Sequence, residues 1–241
     1  VTIRAVLFDA GNTLMFLEYD RLATEVGAAL GITINADDLR RAAPAAARTV
    51  ESGTSECGRD RASRYLESLF MKAGVLASRL EELRTALLGM HSVRHLWSGV
   101  DAATSAAIDR IRAMGIATGV VSNSDGRVAK ALQAVGLLER FDVVIDSSVV
   151  GVEKPDAAIF TPALRELGVT ADETVYLGDI YDVDVVGARA AGIEPILIGE
   201  GDRTACGVAV YASVAKALVA LEATGRLAQA DEGAPAPGTN S

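Results

Sequence analysis

Cysteine and histidine are both scarce in this chain, and that scarcity narrows its chemistry. Of 241 residues only Cys57 and Cys206 are cysteines, far apart and with no metal-ligand spacing around them. A disulfide framework and a thiolate metal centre are thereby excluded, leaving buried or incidental free thiols. The two histidines, His91 and His95, have no third ligand near them in sequence, which argues against a histidine-built metal centre. A membrane-spanning run of about 18 uncharged apolar residues is also missing. The opening VTIRAVLFDAG reads as a strand, not a cleavable leader, so the expectation is a soluble, cytoplasmic protein. Positive charge is in deficit, 23 Lys and Arg against 32 Asp and Glu for a net charge of −9, and no basic stripe offsets it. Nucleic acid and anionic membrane surfaces are therefore not expected as partners, and an anionic substrate must be drawn in by local charges.

What the chain does contain is apolar residues, half of the total, enough for one large domain or a domain carrying an insertion. Ile3 to Phe8 is a short apolar run that stops at Asp-Ala-Gly-Asn-Thr, the pattern of a buried strand meeting a loop. From Tyr19 to Leu96 the pattern is helical, with apolar residues such as Leu22, Val26 and Leu30 at helical spacing and no convincing strand. Pro44 and the polar run Glu51 to Asp60 predict a division into two helical hairpins, Tyr19 to Val50 and Arg61 to Met90. After Trp97 helices and strands alternate, with strands at Ile116 to Val121, Val143 to Asp146, Thr174 to Leu177, Pro195 to Ile198 and Val208 to Tyr211. Near-continuous apolar strands separated by helices predict an α/β fold, a doubly wound parallel sheet, interrupted by an all-helical insertion. The predicted domains are 1–18 with 97–226 as the core, 19–96 as the insertion and 227–241 as a disordered tail.

Open parallel sheets bind ligands beyond the carboxyl ends of their strands, where loops converge and helix N-termini present amides. Four such loops carry polar residues: Asp9 to Leu14, Ser122 to Gly126, Val152 to Pro155, and Gly178-Asp179 with Asp182 and Asp184 following. In this order and spacing the chain resembles the haloacid dehalogenase superfamily, through Asp9, Ser122, Lys154 and the Gly178-Asp179 to Asp184 stretch, over residues 3 to about 199. The resemblance implies a Rossmann-like core, a small helical cap over the active site and an aspartyl-phosphate intermediate formed on Asp9.

Residue by residue, the carboxylate of Asp9 serves as nucleophile and metal ligand. Asp9, the carbonyl of Gly11 and Asp179 match the oxygen donors that Mg²⁺ prefers, with Asp184 holding a metal-bound water or orienting Asp179. Crowded carboxylates themselves call for a cation. Ser122 and the amide of Asn123 are the expected phosphate donors, and Lys154 the positive charge between Asp9 and the phosphate. Ser122, Ser124, Asp125, Asp182 and Asp184 also read as helix N-caps, a purely structural alternative.

Gly11 departs from the pattern. Phosphatases of this superfamily usually place a second Asp there as acid and base, a group worth ~10²–10⁴ in rate. A donor from the cap or Asn12, a substrate with a good leaving group, or weak activity would each accommodate its loss. The expectation is a Mg²⁺-dependent hydrolase of small phosphorylated metabolites, a monomer or homodimer. Alternatives are a metal-independent 2-haloacid dehalogenase, against which Asp179 and Asp184 argue, and a phosphate- or metal-binding module without turnover. A phosphonate-cleaving enzyme would need a cap lysine, and Lys72 is the sole one. His91 and His95, at helical i, i+4 spacing beside Trp97, read as hinge packing or as a proton donor swung over the site.

Overall fold

The computed structural model describes residues 1–51, 58–199 and 207–227. The chain opens with β1 (Ala5–Phe8) and β2 (Met15–Leu17), then runs through α1 (Tyr19–Leu30), α2 (Ala36–Glu51), α3 (Gly58–Lys72) and α4 (Leu80–Val93), and returns through β3 (Trp97–Val100). Next come α5 (Ala102–Ala113), β4 (Ala117–Ser122), α6 (Val128–Ala134), β5 (Val143–Asp146), α7 (Ser147–Val150) and α8 (Thr161–Leu167). The core closes with β6 (Thr174–Gly178), α9 (Val186–Ala190), β7 (Glu194–Ile198), β8 (Ala209–Tyr211) and α10 (Val214–Ala223).

Six strands form one parallel sheet in the order β5-β4-β1-β6-β7-β8. Its strands read as unbroken apolar runs because both faces are covered. Along β1, Val6 and Phe8 join Ile108, Ile111, Leu132 and Leu218 on one face, whereas Leu7 joins Val121, Ile145 and Phe160 on the other. The fold is the expected doubly wound α/β sheet. Residues 19–96 form a separate helical layer with its own core, in which Leu22, Val26 and Leu30 meet Leu39, Leu69, Phe70 and Leu83.

Three expectations need correction. Pro44 divides nothing and lies exposed inside α2. The alanines flanking it favour helix, and Ala42 and Ala46 bury into the cap core, which outweighs one lost backbone bond on the solvent side. The first hairpin turns instead at residues 31–35, between α1 and α2. Second, β2 and β3 pair antiparallel as a separate ribbon, Met15 opposite Val100 and Leu17 opposite Trp97, joining the two chain crossings between core and cap. Third, the core reaches beyond residue 226, for Leu227 is buried and bridges Ile3. The remainder of the expected tail, the polar stretch 52–57, Cys57 and Cys206 lie outside the described residues. Among the described residues, no helix is long and apolar enough to cross a membrane.

Candidate active site

Strand register brings the four loops together. Phe8 lies opposite Val120 of β4 and Leu177 of β6, so Asp9, Ser122 and Asp179 emerge side by side at the carboxyl edge of three adjacent strands. Above them the cap closes a cavity of about 560 Å³ whose walls include Asp9, Ser122, Lys154, Asp179, His95 and Trp97.

The floor of the cavity is a buried charge network. Lys154 is 4% exposed and its Nζ donates to Asp9 Oδ1 at 2.6 Å, Asp184 Oδ1 at 2.7 Å and the Tyr176 hydroxyl at 2.6 Å. Burial alone lowers an ammonium pKa, but the two carboxylates outweigh it and hold Lys154 above its ordinary value, hence charged. Burial raises Asp9 despite the opposing pull of Lys154. Asp9 Oδ1 is the oxygen held by Lys154, the Ala10 backbone N–H also bonds the carboxylate, and the residue lines the cavity. Asp184, 2% exposed, also accepts the Ile180 backbone N–H at 2.8 Å on Oδ2, so both its oxygens are engaged. Oδ1 is shared by Lys154 and Tyr176, while Oδ2 keeps a second lone pair beyond the Ile180 bond, so Asp184 braces Lys154 with acceptor capacity to spare. Gly178 makes this fold-back possible, because a Cβ there would sit 2.4 Å from Asp184 Cγ.

Ser122 is buried, yet its hydroxyl makes no hydrogen bond to any described residue, and the residue lines the cavity. Asn123 is used differently from expectation: its side-chain amide donates to the Lys154 carbonyl at 2.9 Å and accepts the Lys154 N–H at 2.8 Å. This reciprocal clamp locks the second loop to the third and leaves the second Nδ2–H and the Asn123 backbone for a ligand. The capping expectation for Ser124 and Asp125 fails too, since Asp146 at the end of β5 receives the Gly126 N–H at 3.0 Å and the Val128 N–H at 3.2 Å. Asp182 and Asp184 provide no side-chain cap to the turn they occupy.

Asp179 has one recorded partner, Asn12 Nδ2 at 3.4 Å from Oδ2. Burial first, then the charges of Asp184 and Asp9, push its pKa well above the carboxylate range. A third carboxyl therefore faces the cavity where only a cation would let it ionise readily. Beside it, Asn12 adopts a left-handed backbone (φ 56°), which asparagine tolerates better than most residues. Its Oδ1 receives the Trp97 Nε1–H at 2.9 Å. The Trp97 ring also covers Gly11, with Nε1 3.7 Å from where a Cβ would stand. The indole is thus the nearest neighbour of any side chain at position 11, at ordinary contact distance from its Cβ.

The roof of the cavity comes from the end of the cap. Arg94 is extended, so α4 stops at Val93 and His95 is not helical, contrary to the i, i+4 reading, although the two imidazole centroids remain 4.6 Å apart. His91 Nδ1 accepts the Leu96 N–H at 3.3 Å, which puts its proton on Nε2, 3.1 Å from Asp125 Oδ2. Burial raises Asp125, but hydrogen bonds from Arg127 and His91 outweigh it and hold the value at about 2. Among the described residues, His91, His95 and Asp125 are the one group of three side chains spaced for a metal ion. With both ring nitrogens of His91 already engaged, the trio reads as a hydrogen-bonded cluster. Arg21 fastens this linker from α1, donating to the carbonyls of Arg94 and His95 and to Ser98 Oγ at 3.0–3.2 Å. Lys72 is exposed and away from the cavity, so no cap lysine offers a Schiff base there.

None of Trp97, Tyr176, Asp146 or Arg21 was singled out in sequence as part of the site. Only Trp97 carried a signal, as the sole tryptophan at the point where the helical block ends.

Comparison with known proteins agrees with this architecture. A 90-residue stretch is 41% identical to "Haloacid dehalogenase-like hydrolase domain-containing protein 3" of Danio rerio, covering 37% of each chain. A 95-residue stretch is 39% identical to "Glyceraldehyde 3-phosphate phosphatase" of Methanopyrus kandleri, covering 38% of this chain and 40% of that protein. The matches thus span well under half the length of these curated relatives. The crystal structure of a HAD phosphatase from Thermococcus onnurineus superposes with a TM-score of 0.56 over 91% of this chain and 98% of its own, at 22% identity, and so supports the fold. The family model for haloacid dehalogenase-like hydrolases matches residues 3–192, more than three quarters of the sequence, and the chain belongs to that family of hydrolases.

Proposed function

We propose that this protein hydrolyses small phosphate monoesters with Mg²⁺, through a phosphoryl group carried transiently on Asp9. One observation carries the reading: the Asp9 carboxylate lies in the cavity wall beside a fixed Lys154 ammonium, an unpartnered Ser122 hydroxyl and a third carboxyl, Asp179, that is hard to ionise without a cation. The phosphatase named among the relatives supports the same class of chemistry.

In the first step Asp9 Oδ2 attacks phosphorus while Oδ1 stays hydrogen-bonded to Lys154. Lys154 offsets the repulsion between carboxylate and phosphate, and Asp184, Tyr176 and Asn123 keep it from drifting. Ser122 Oγ and the backbone amides after it donate to the phosphoryl oxygens as charge redistributes. Water then attacks the aspartyl phosphate and frees Asp9. The donor set fits magnesium: Asp9, the Gly11 carbonyl and Asp179 would hold it, with Asp184 bracing Lys154 and able to hold a metal-bound water. When bound, the ion would neutralise phosphoryl charge. The cap closes over the substrate and selects it, with Arg61 and Arg84 among the residues of its cavity wall.

The test is a phosphate-ester panel, including p-nitrophenyl phosphate, assayed with Mg²⁺, with chelator, and with Asp9→Asn. Turnover that chelator abolishes and Asp9→Asn lacks supports the proposal. Halide release from 2-haloacids that survives chelator moves the protein to the dehalogenases, and phosphate binding without turnover makes it a binding module.

A further inference from the structure

Expelling an alkoxide requires a proton, and with Asp179 assigned to the metal and Ser122 to the phosphoryl oxygens, no group on the floor of the cavity is assigned to give one. Gly11 has no carboxyl, and the indole of Trp97 is its nearest neighbour. The ammonium of Lys154 is committed to Asp9, Asp184 and Tyr176. The remaining candidates are the two histidines, both held below the ordinary imidazole value by burial, and they are not equivalent. Both nitrogens of His91 are engaged, one by Leu96 N–H and one by Asp125.

His95 differs in that only Nδ1 is engaged, 3.1 Å from the carbonyl oxygen of Trp97. A carbonyl only accepts, so Nδ1 carries the proton and the tautomer is fixed. Nε2 has no partner among the described residues, and the residue lines the cavity. The backbone is fastened as well, through Arg21 Nη1 to the His95 carbonyl at 3.0 Å. The charged and titratable groups around it are His91 in ring contact, Arg21, and the Asp125–Arg127 pair behind His91. Such a half-buried imidazole, held at one nitrogen and open at the other, is built to pass protons.

We propose that His95 Nε2 is the acid and base of the reaction, supplied by the end of the cap in place of a carboxyl at position 11. This rests on the phosphatase reading. As the bond from phosphorus to the ester oxygen breaks and that from Asp9 Oδ2 to phosphorus forms, protonated His95 gives its Nε2 proton to the departing oxygen, which leaves as an alcohol. Neutral His95 then takes a proton from the attacking water. The bond between Asp9 and phosphorus breaks, releasing inorganic phosphate and restoring both side chains.

The test compares leaving groups. Two substrates are assayed with Mg²⁺: the fastest alkyl phosphate of the panel, whose alkoxide needs a proton, and p-nitrophenyl phosphate, whose phenolate leaves unaided. His95→Gln and His95→Asn are made together, since asparagine keeps a donor for the Trp97 carbonyl and guards against misfolding. The expected result is a ~10²–10⁴-fold fall in kcat/KM for the alkyl phosphate and at most a few-fold fall for p-nitrophenyl phosphate. Equal losses on both substrates in both variants, or no loss on either, overturn the assignment of His95 while leaving the phosphatase reading intact. A wild-type protein that turns over neither substrate overturns both.

Discussion

The two walls of the cavity are built on opposite principles. On the core side, Asp9, Lys154, Asp184 and Tyr176 are buried, close-packed and joined by bonds of 2.6–3.0 Å, all supported by neighbouring parallel strands. On the cap side, His91, His95 and Trp97 sit at or beyond the end of α4, half-buried, each tied by one or two hydrogen bonds. The core wall is thus the more densely bonded of the two and suits chemistry that needs a fixed nucleophile. Arg94 with Glu18 and the β2–β3 ribbon span the junction between the two layers.

Substitutions in the two walls should differ accordingly. The largest effect is expected for Asp9→Asn, with turnover down roughly 10⁴–10⁶-fold and folding unimpaired, measured by steady-state kinetics and circular dichroism. Lys154→Met strikes the same wall through stability as well. It leaves Asp9 and Asp184 buried without their cation, and urea unfolding should show a loss of about 3–5 kcal/mol. If that loss is under 1 kcal/mol by the same rough scale, the denser bonding of the core wall is not stabilising. On the cap side, Trp97→Phe keeps the ring over Gly11 but removes the N–H given to Asn12, an expected cost of about 1 kcal/mol by thermal unfolding. The smallest effect belongs to Gly11→Ala, whose methyl meets the indole at ordinary contact distance and should change stability by no more than about 0.5 kcal/mol. Gly11→Asp, whose Cβ also meets the indole at ordinary contact distance, should not raise turnover where His95 already supplies the proton.

Three of the four polar loops were legible because each lies directly at the end of an apolar strand, and strand ends in a parallel sheet share one edge. Asp9, Ser122 and Asp179 needed only that rule, whereas Lys154 comes after β5 and the short α7 and was placed by its order among the other three. What was not legible depended on contacts between distant positions. Asp146 caps the loop before α6 from 20 residues away, so Ser124 and Asp125, well placed locally, lost that role to a better-oriented carboxylate. The β2–β3 ribbon joins strands of three and four residues separated by the whole cap, too short for periodicity to register. Pro44 misled for the converse reason, because a local helix-breaking tendency was overridden by burial of its alanine neighbours.

By itself, then, the sequence determined the sheet, the inserted helical layer and the residues at the strand ends, since hydrophobic period and loop chemistry are local properties. Tertiary structure alone decided what each polar group meets. It turned Asp184 toward Lys154, committed the Asn123 side chain to a clamp, set Trp97 against Gly11 and bonded His95 at one nitrogen only among the described residues. Those outcomes depend on which donor reaches which acceptor first across the packed layers, and no spacing along the chain encodes that competition.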